Sequence, residues 1–194
     1  MNKNQIGKNC IILNSKLINC KIGKNVIIEN SILKNCIISD FCIVLQSNLE
    51  GCQILKNTSI GPFARIRPET FISKNVRIGN FVEIKNSVIG ENTKINHLAY
   101  VGDAEIDANC NIGCGVVFAN FDGKTKHKTI VGEGCFIGSN SNLIAPLTLA
   151  PHTFVACGST ITDDTEEYDF VISRARQTTK KGYAKRYFDE KKEK

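Results

Sequence analysis

His97 is one of three histidines in the chain, and it stands in the stretch NHLAYVGDAE. Short repeating apolar segments precede this stretch, and the glycine-rich NIGCG and the polar NFDGKTKHK follow it. The ordinary pKa of a histidine, about 6.5, suits a general base at neutral pH, for example one that removes a proton from an attacking amine. The alternative interpretation of a lone histidine is a solvated surface residue.

Three cations flank this histidine in the sequence, and they favour the catalytic interpretation. Arg67 and Lys85 precede His97, and Lys126 follows it. Fixed cations on one surface can hold a phosphate, arginine through a two-pronged contact and lysine as a point charge. Neutral side chains that could orient a sugar beside them are Tyr100, Asn111 and Asn120.

A sequence repeat must position these residues. From Ile6 the chain repeats every 16 residues, as IGKNCIILNSKLINCK, IGKNVIIENSILKNCI and ISDFCIVLQSNLEGCQ. Within each unit an aliphatic residue recurs in steps near six, which is the hexapeptide pattern of a parallel β-helix. Three short strands form one coil, aliphatic residues point inward, and neighbouring coils lie about 4.8 Å apart. The sequence therefore predicts an all-β solenoid.

Two segments interrupt the repeat, and a third follows it. Residues 61–70, GPFARIRPET, replace polar corners with prolines and arginines, and residues 119–129 are expected to project as a polar loop. The hexapeptides stop after Ile161. We expect a β-helix domain over residues 1–162 and a C-terminal arm over residues 163–194, partly helical because Tyr183 and Tyr187 stand at helical spacing.

Composition excludes several classes of function. The formal charge is +6, but lysines alternate with asparagines and acids, which favours a solvated surface over a nucleic-acid partner. The first residues, MNKNQIGKN, are polar where a secretory signal requires an apolar segment, and no apolar run approaches the roughly 20 residues of a membrane span. We expect a cytoplasmic protein that does not bind membranes.

The nine cysteines fit the repeat better than they fit metal or disulfide chemistry. Their number is odd, and no C-x-x-C occurs. Cys20, Cys36 and Cys52 share one column of the repeat, and Cys10 and Cys42 share another, where small buried residues are expected. In a reducing cytosol these residues stay thiols. We therefore predict structural thiols.

Common catalytic motifs are absent from the sequence. It contains no G-x-S-x-G, no P-loop and no G-x-G-x-x-G. A zinc site on a β-helix needs histidines that converge on one metal, whereas His127 falls in the loop and His152 at a corner. We therefore predict no metal.

Seven motifs stand out between residues 60 and 177, and several of them lie outside the generic hexapeptide code: IGPFARIRP, VRIGNFVEIKNS, HLAYVGDAEI, NIGCGV, NFDGKTKHKT, FIGSNSNLIAP and ISRARQ. Through them residues 60–174 resemble the C-terminal acetyltransferase domain of bifunctional UDP-N-acetylglucosamine pyrophosphorylase/glucosamine-1-phosphate N-acetyltransferases. The resemblance implies a left-handed parallel β-helix, an exception to the right-handed crossover preference, assembled as a homotrimer with active sites between subunits. It also implies acetyl transfer from acetyl-CoA to the amine of glucosamine-1-phosphate, on the route to UDP-N-acetylglucosamine and cell-wall precursors.

The resemblance assigns roles to individual residues. His97 looks like the general base of a direct transfer. The residues that match sugar-phosphate contacts are Arg67, Lys85, Tyr100, Asn111 and Lys126. Asn120 falls between sugar and cofactor, and the residues that match coenzyme A contacts are Cys114, Phe121, Ser139, Cys157 and Arg174.

The chain departs from the family pattern at three cofactor positions. Cys114 and Cys157 stand where alanine is expected, and Phe121 stands where tyrosine is expected. These departures put cofactor affinity in question but leave the base and the cations in place. An acyl-cysteine intermediate at Cys114 is the less favoured alternative to direct transfer.

Other functions stay open at this point. The acceptor could be another amino sugar, including a nucleotide-linked one, or the solenoid could be a non-catalytic scaffold. No nucleotidyltransferase signature precedes the repeats, so we expect no uridylyl transfer from this chain and leave that reaction to a separate enzyme.

Overall fold

The computed structural model describes residues 3–189, and almost all of its regular structure is short β-strands. The strands of the first half are β1 (Gln5–Ile6), β2 (Ile11–Leu13), β3 (Lys16–Ile18), β4 (Lys21–Ile22), β5 (Ile27–Glu29), β6 (Ile32–Lys34), β7 (Ile37–Ile38), β8 (Ile43–Leu45), β9 (Asn48–Glu50), β10 (Cys52–Ile54), β11 (Ser59–Ile60), β12 (Arg65–Ile66) and β13 (Thr70–Ile72). Those of the second half are β14 (Arg77–Lys85), β15 (Val88–Ile89), β16 (Lys94–Gly102), β17 (Ala104–Ile106), β18 (Asn111–Ile112), β19 (Val117–Ala119), β20 (Thr129–Val131), β21 (Phe136–Ile137), β22 (Asn142–Ile144), β23 (Leu147–Leu149), β24 (Phe154–Val155), β25 (Thr160–Ile161) and β26 (Phe170–Val171), and one short helix, α1 (Lys185–Asp189), follows them.

The strands stack into the three walls of a parallel β-helix. Wall one is a nine-stranded sheet in the order β1-β4-β7-β10-β13-β15-β17-β20-β23. Walls two and three together form the 17-stranded sheet, because the long strands β14 and β16 each cross the corner between them. Every pairing between named strands is parallel, as in β10 with β13. The predicted all-β hexapeptide-repeat solenoid is confirmed.

Ladders of aliphatic side chains fill the interior. On wall two Ile78 pairs with Ile95 and Ile95 with Ile112, and all three are at most 3% exposed. Neighbouring coils thus remove the same inward position from water, which is how a unit too small to bury a core by itself becomes stable. The inward residues predicted from the six-residue step are buried from Ile22 onward, whereas Ile6 in the first coil is 52% exposed.

Residues in the left-handed backbone region form the corners between walls. At the corner between walls one and two, Asn92 and Asn109 both have positive φ, and Asn92 Nδ2 donates to Asn109 Oδ1 at 3.0 Å. Asparagine tolerates this conformation, and its carboxamide can pair with the same residue on the next coil. The polar corner residues seen in the sequence therefore form ladders of their own.

The loop and the last strand leave this regular pattern. The chain departs from wall three after Ala119 and rejoins wall one at Thr129. Past Ile161, β26 still pairs with β24 on wall two, so the stack continues beyond the predicted boundary at residue 162. The predicted end of the arm, residues 190–194, lies outside the described residues.

The cysteine columns are free thiols. Cys20, Cys36 and Cys52 are all buried, and the Sγ atoms of Cys36 and Cys52 are 3.6 Å apart. Burial also raises the pKa of the Cys42 thiol to about 11, which keeps it protonated and unreactive. Cys114 and Cys157 differ, since both are exposed.

Candidate functional site

Two of the predicted cations occupy one position on neighbouring coils. Arg65 pairs with Glu83 and Ile66 with Ile84, so Arg67 and Lys85 follow in the same register at the end of wall three. The guanidinium of Arg67 donates from Nη1 to Glu83 Oε1 at 2.9 Å. Both partners are about one third exposed, at 37% and 33%. The ion pair therefore holds the arginine in place while water still reaches it.

Lys126 brings a third cation to the same edge. Contact between its amine and that of Lys85, through hydrogen bonding and like-charge repulsion, lowers the pKa of Lys126. Lys126 lies in the loop and is exposed. Two lysine amines held against each other favour an anion that can contact both.

A turn centred on Asp122 shapes the loop that carries Lys126. The Asp122 carboxylate accepts the backbone N–H groups of Lys124 and Thr125, both at 2.7 Å, and contacts His127 Nε2 at 2.7 Å. These bonds, led by that from His127, hold the pKa of Asp122 well below its usual range. The loop base is closed by the His127 N–H, which donates to the Asn120 carbonyl at 2.8 Å.

Beneath this loop lies a buried polar network that the sequence did not indicate. Asp103, 9% exposed, accepts from Asn86 Nδ2 at 2.6 Å through Oδ1 and from Asn120 Nδ2 through Oδ2. The second hydrogen of Asn120 Nδ2 faces the Tyr100 hydroxyl at 3.4 Å. Buried polar groups must be paired, and this network pairs both carboxylate oxygens.

Gly102 makes room for this arrangement. A β-carbon at Gly102 would lie 2.5 Å from the Tyr100 hydroxyl oxygen and 2.7 Å from Asn120 Nδ2. Both distances are shorter than real side chains show. The glycine lets the Tyr100 ring fold over the backbone of its own strand, which sets the position of the hydroxyl.

His97 lies on β16 near the corner between walls two and three. It is exposed, and it is paired in register with Asn80 on the preceding coil. His97 Nδ1 is 3.2 Å from Asn80 Oδ1. A neighbouring groove, lined in part by Phe81, Leu98 and Tyr100, opens beside this corner.

Three of the predicted cofactor residues lie in the same column as His97. Ile95, Ile112, Ile137 and Val155 pair in turn along wall two, and the residue two places after each of them reaches the same corner. Backbone hydrogen bonds continue between these coils there, including Asn140 N–H to the Cys114 carbonyl and Gly158 N–H to the Ser139 carbonyl. The residues of this corner column, which we call the His97 column, are Asn80, His97, Cys114, Ser139 and Cys157.

Arg174 and Phe121 also lie near these features. Arg174 packs beside Gly158, since a β-carbon there would be 3.7 Å from Arg174 Cδ. Phe121 is 59% exposed in the loop and forms an isolated antiparallel bridge with Lys126. The structure therefore places Arg174 at the corner of the His97 column and Phe121 on the loop opposite Lys126.

One predicted sugar contact is separated from the others. Asn111 begins β18 on wall two, where it pairs with Lys94 and Phe136. The lysine pair lies instead at the far end of wall three. A single chain does not enclose all of the predicted substrate contacts.

The described residues, 3–189, contain no group of three or more His, Cys, Asp or Glu side chains that could hold a metal ion. Within the same range, no helix is long and apolar enough to span a membrane.

The comparison with protein families decides the classification. Residues 48–156, more than half of the chain, match the family described as the GMPPB C-terminal domain. The chain belongs to this family. The match covers the coils that carry the lysine pair, the buried network and the His97 column as far as Ser139.

Curated relatives of this GMPPB C-terminal domain chain include the bifunctional protein GlmU of Clostridium beijerinckii, which is 55% identical over 127 residues. GlmU of Shouchella clausii is 53% identical over 133 residues. The matched regions cover 66% and 69% of this chain but only 28% and 29% of those proteins, so the chain spans less than a third of their length. The resemblance to a bifunctional protein predicted from the motifs is confirmed.

Two solved structures share the solenoid fold with this family member. Arabidopsis UDP-N-acetylglucosamine acyltransferase has a TM-score of 0.64 at 17% identity, and it covers 85% of this chain and 66% of its own. PerB from Caulobacter crescentus, solved in complex with CoA and GDP-perosamine, has a TM-score of 0.52 at 21% identity, with 61% of this chain and 65% of its own covered.

Proposed function

We propose that the chain transfers the acetyl group of acetyl-CoA to the amine of glucosamine-1-phosphate. The observation that carries the proposal is the layout of β16, which bears the exposed His97 at one corner and ends beside the paired amines of Lys85 and Lys126. A basic group and an anion site on one rigid strand suit an acceptor with both an amine and a phosphate. The two GlmU relatives are 55% and 53% identical over 127 and 133 residues of the chain.

The lysine pair and Arg67 would bind the sugar phosphate. An anion between Lys85 and Lys126 relieves their repulsion, so the free protein is set up for a phosphate before it arrives. Arg67, held by Glu83, would add a directed cation. These contacts fix one end of the sugar and leave its amine free to face the thioester.

The His97 column would hold acetyl-CoA. Cys114, Ser139 and Cys157 follow His97 coil by coil, so an extended cofactor lying along this corner would bring its thioester toward the histidine. His97 then takes a proton as the amine attacks, the carbonyl carbon becomes tetrahedral, and the coenzyme A thiolate leaves. Orientation of two bound reactants supplies several kcal/mol of the acceleration. We propose direct transfer, with no acyl group on Cys114.

A homotrimer would complete the site. Asn111 lies on wall two, away from the lysine pair on wall three, so a second copy is needed to bring an equivalent residue to the same substrate. We propose that Arg174 and Phe121 contact coenzyme A from such an assembly. The free thiols and the proposed co-substrate both fit the reducing cytoplasm predicted from the sequence.

A thiol-release assay tests this function. Purified protein is given acetyl-CoA and a panel of acceptors: glucosamine-1-phosphate, glucosamine, and a nucleotide-linked amino sugar. We expect coenzyme A release with glucosamine-1-phosphate and at least tenfold less with glucosamine, since the lysine pair then has no phosphate to bind. Faster release with the nucleotide-linked sugar would favour the rival acceptor class, and no release with any acceptor would favour a scaffold.

A further inference from the structure

The orientation of the Asn120 carboxamide is fixed from below. Its Nδ2 donates to Asp103 Oδ2 and lies 3.4 Å from the Tyr100 hydroxyl. A flipped carboxamide would set its oxygen against the Asp103 carboxylate, where two acceptors repel each other. Asp103 therefore selects one of the two possible orientations.

The selected orientation leaves the Asn120 oxygen free for a ligand. Asn120 is 6% exposed, and its Oδ1 accepts no hydrogen bond from any residue in the described range. In that range, the polar side-chain atoms that are both fully buried and without a partner are Thr70 Oγ1 and Thr129 Oγ1. Asn120 Oδ1 also has no partner but is not one of these buried atoms, so it retains access to solvent. A largely buried side chain thus presents an unpaired acceptor at the surface.

Asp103 itself is held rigidly. Its other oxygen accepts from Asn86 Nδ2 at 2.6 Å, and its backbone N–H donates to the Lys85 carbonyl at 3.0 Å. Asp103 also has a positive φ of 52°, which aspartate and asparagine tolerate better than most residues. The carboxylate is thereby fixed between the coil that bears Lys85 and the loop that bears Lys126.

From these contacts we infer that Asp103 is a positioning residue. It holds the Asn120 side chain so that Asn120 Oδ1 accepts a hydrogen bond from an N–H of the attacking sugar amine. Asn120 accordingly accepts from the nucleophile and does not donate to the thioester oxygen. This inference rests on the proposed acetyl transfer. The attacking amine keeps its lone pair for the carbonyl carbon while one of its hydrogens is held by Asn120 Oδ1.

Exchanging the two side chains gives a sharp test. In Asp103→Asn, when the new oxygen keeps the hydrogen bond from Asn86, the new NH₂ faces the Asn120 amide, and Asn120 turns and presents its hydrogens to the sugar amine. In Asn120→Asp two carboxylates face each other. The double variant Asp103→Asn/Asn120→Asp restores one donor and one acceptor, and again leaves an oxygen facing outward. Asparagine at position 103 also keeps the positive φ.

We expect kcat to fall in each single variant and to recover in the double variant. Each single variant should lose about 10- to 100-fold in kcat, the range associated with a misdirected hydrogen bond at a reacting group. The KM for acetyl-CoA should stay unchanged, because the His97 column is untouched. The double variant should recover at least tenfold over either single variant. A matched control is Asp40→Asn, since Asp40 accepts a backbone N–H from Lys24 at a corner remote from the site.

A measurement independent of turnover keeps the inference separate from the proposed function. In two-dimensional ¹⁵N–¹H spectra, the side-chain NH₂ signals of Asn120, assigned by their loss in Asn120→Ala, should shift in Asp103→Asn and remain unchanged in Asp40→Asn. If the wild-type protein releases no coenzyme A, the proposed function fails and these spectra still test whether Asp103 is the hydrogen-bond partner of the Asn120 amide. Unshifted Asn120 signals, or full activity of Asp103→Asn in an active protein, would overturn the role of Asp103.

Discussion

His97 Nδ1 lies 3.2 Å from Asn80 Oδ1 on the preceding coil. A carboxamide oxygen only accepts hydrogen bonds, so this contact requires the proton of a neutral imidazole to be on Nδ1. The lone pair is then on Nε2, which becomes the basic atom. Asn80 thus determines which nitrogen of His97 carries the proton, and Asp103 determines the orientation of the Asn120 carboxamide. In both cases the determining residue lies one coil before the functional side chain.

Replacement of His97 tests the assignment of the base. His97→Ala should lower kcat by about 100-fold or more, in line with the usual contribution of a general base. Its melting temperature should match that of the wild type, because His97 is exposed and makes one side-chain contact. His152→Ala is the matched control, since His152 is also an exposed corner histidine and stacks on Tyr168. Undiminished turnover by His97→Ala would exclude it as the base.

Replacement of Arg67 separates substrate binding from structure. Arg67→Ala should raise the KM for glucosamine-1-phosphate about tenfold, the effect of losing one charge-assisted hydrogen bond to a partly solvated phosphate. Assembly size in sedimentation analysis should not change. Lys74→Ala is the control, because Lys74 forms a similar surface ion pair with Glu91 at 3.0 Å. A change in assembly only for Arg67→Ala would make Arg67 a structural residue.

The contact between Lys85 and Lys126 predicts a pH effect on substrate binding. Because the pKa of Lys126 is lowered, its charge is lost at a lower pH than that of an ordinary lysine. Affinity for glucosamine-1-phosphate should therefore be constant below this pKa and fall as pH rises through it. Calorimetric titrations from about pH 7 to pH 10 stay below the ordinary lysine pKa of about 10.4, so a loss of affinity in this range reports the lowered pKa of Lys126. Lys126→Arg stays charged throughout, so its affinity should not fall in this way; identical profiles for the two proteins would contradict the explanation.

Gly102 provides a steric test of the network. The methyl group of Gly102→Ala would press on the Tyr100 hydroxyl and on Asn120 Nδ2. Displacement of these groups by a fraction of an ångström should lower kcat about 10- to 100-fold. The melting temperature should change little, since the aliphatic ladders are untouched. If Tyr100→Phe/Gly102→Ala were no less active than Tyr100→Phe, the hydroxyl would be the group displaced.

The sequence predicts the solenoid well because its signal is local. An aliphatic residue every six positions marks inward residues such as Ile78 and Ile95 without any knowledge of their partners. The same signal predicted buried thiols at Cys20, Cys36 and Cys52. Periodicity alone was sufficient here, because each coil contacts only its neighbours.

The supporting network could not be predicted in the same way. Asp103 stands at a corner in GDAE and has the appearance of an ordinary turn residue. Its partners Asn86 and Asn120 lie 17 residues away on either side, and whether they meet depends on the exact length of two coils. The loop adds a second difficulty, since the fold of residues 120–128 around Asp122 places Lys126 against Lys85.

The asparagine and aliphatic ladders of the first coils repeat at a constant interval, so the length of this part of the solenoid can change. Gln5 pairs with Lys21, Lys21 with Ile37, and Ile37 with Gln53, always at the same interval. Excision of one whole interval would join matching positions and leave every later coil in register. The length of the solenoid before residue 60 can therefore change by whole coils, in steps of about 4.8 Å. Such a change leaves the site residues of the later coils in the same register.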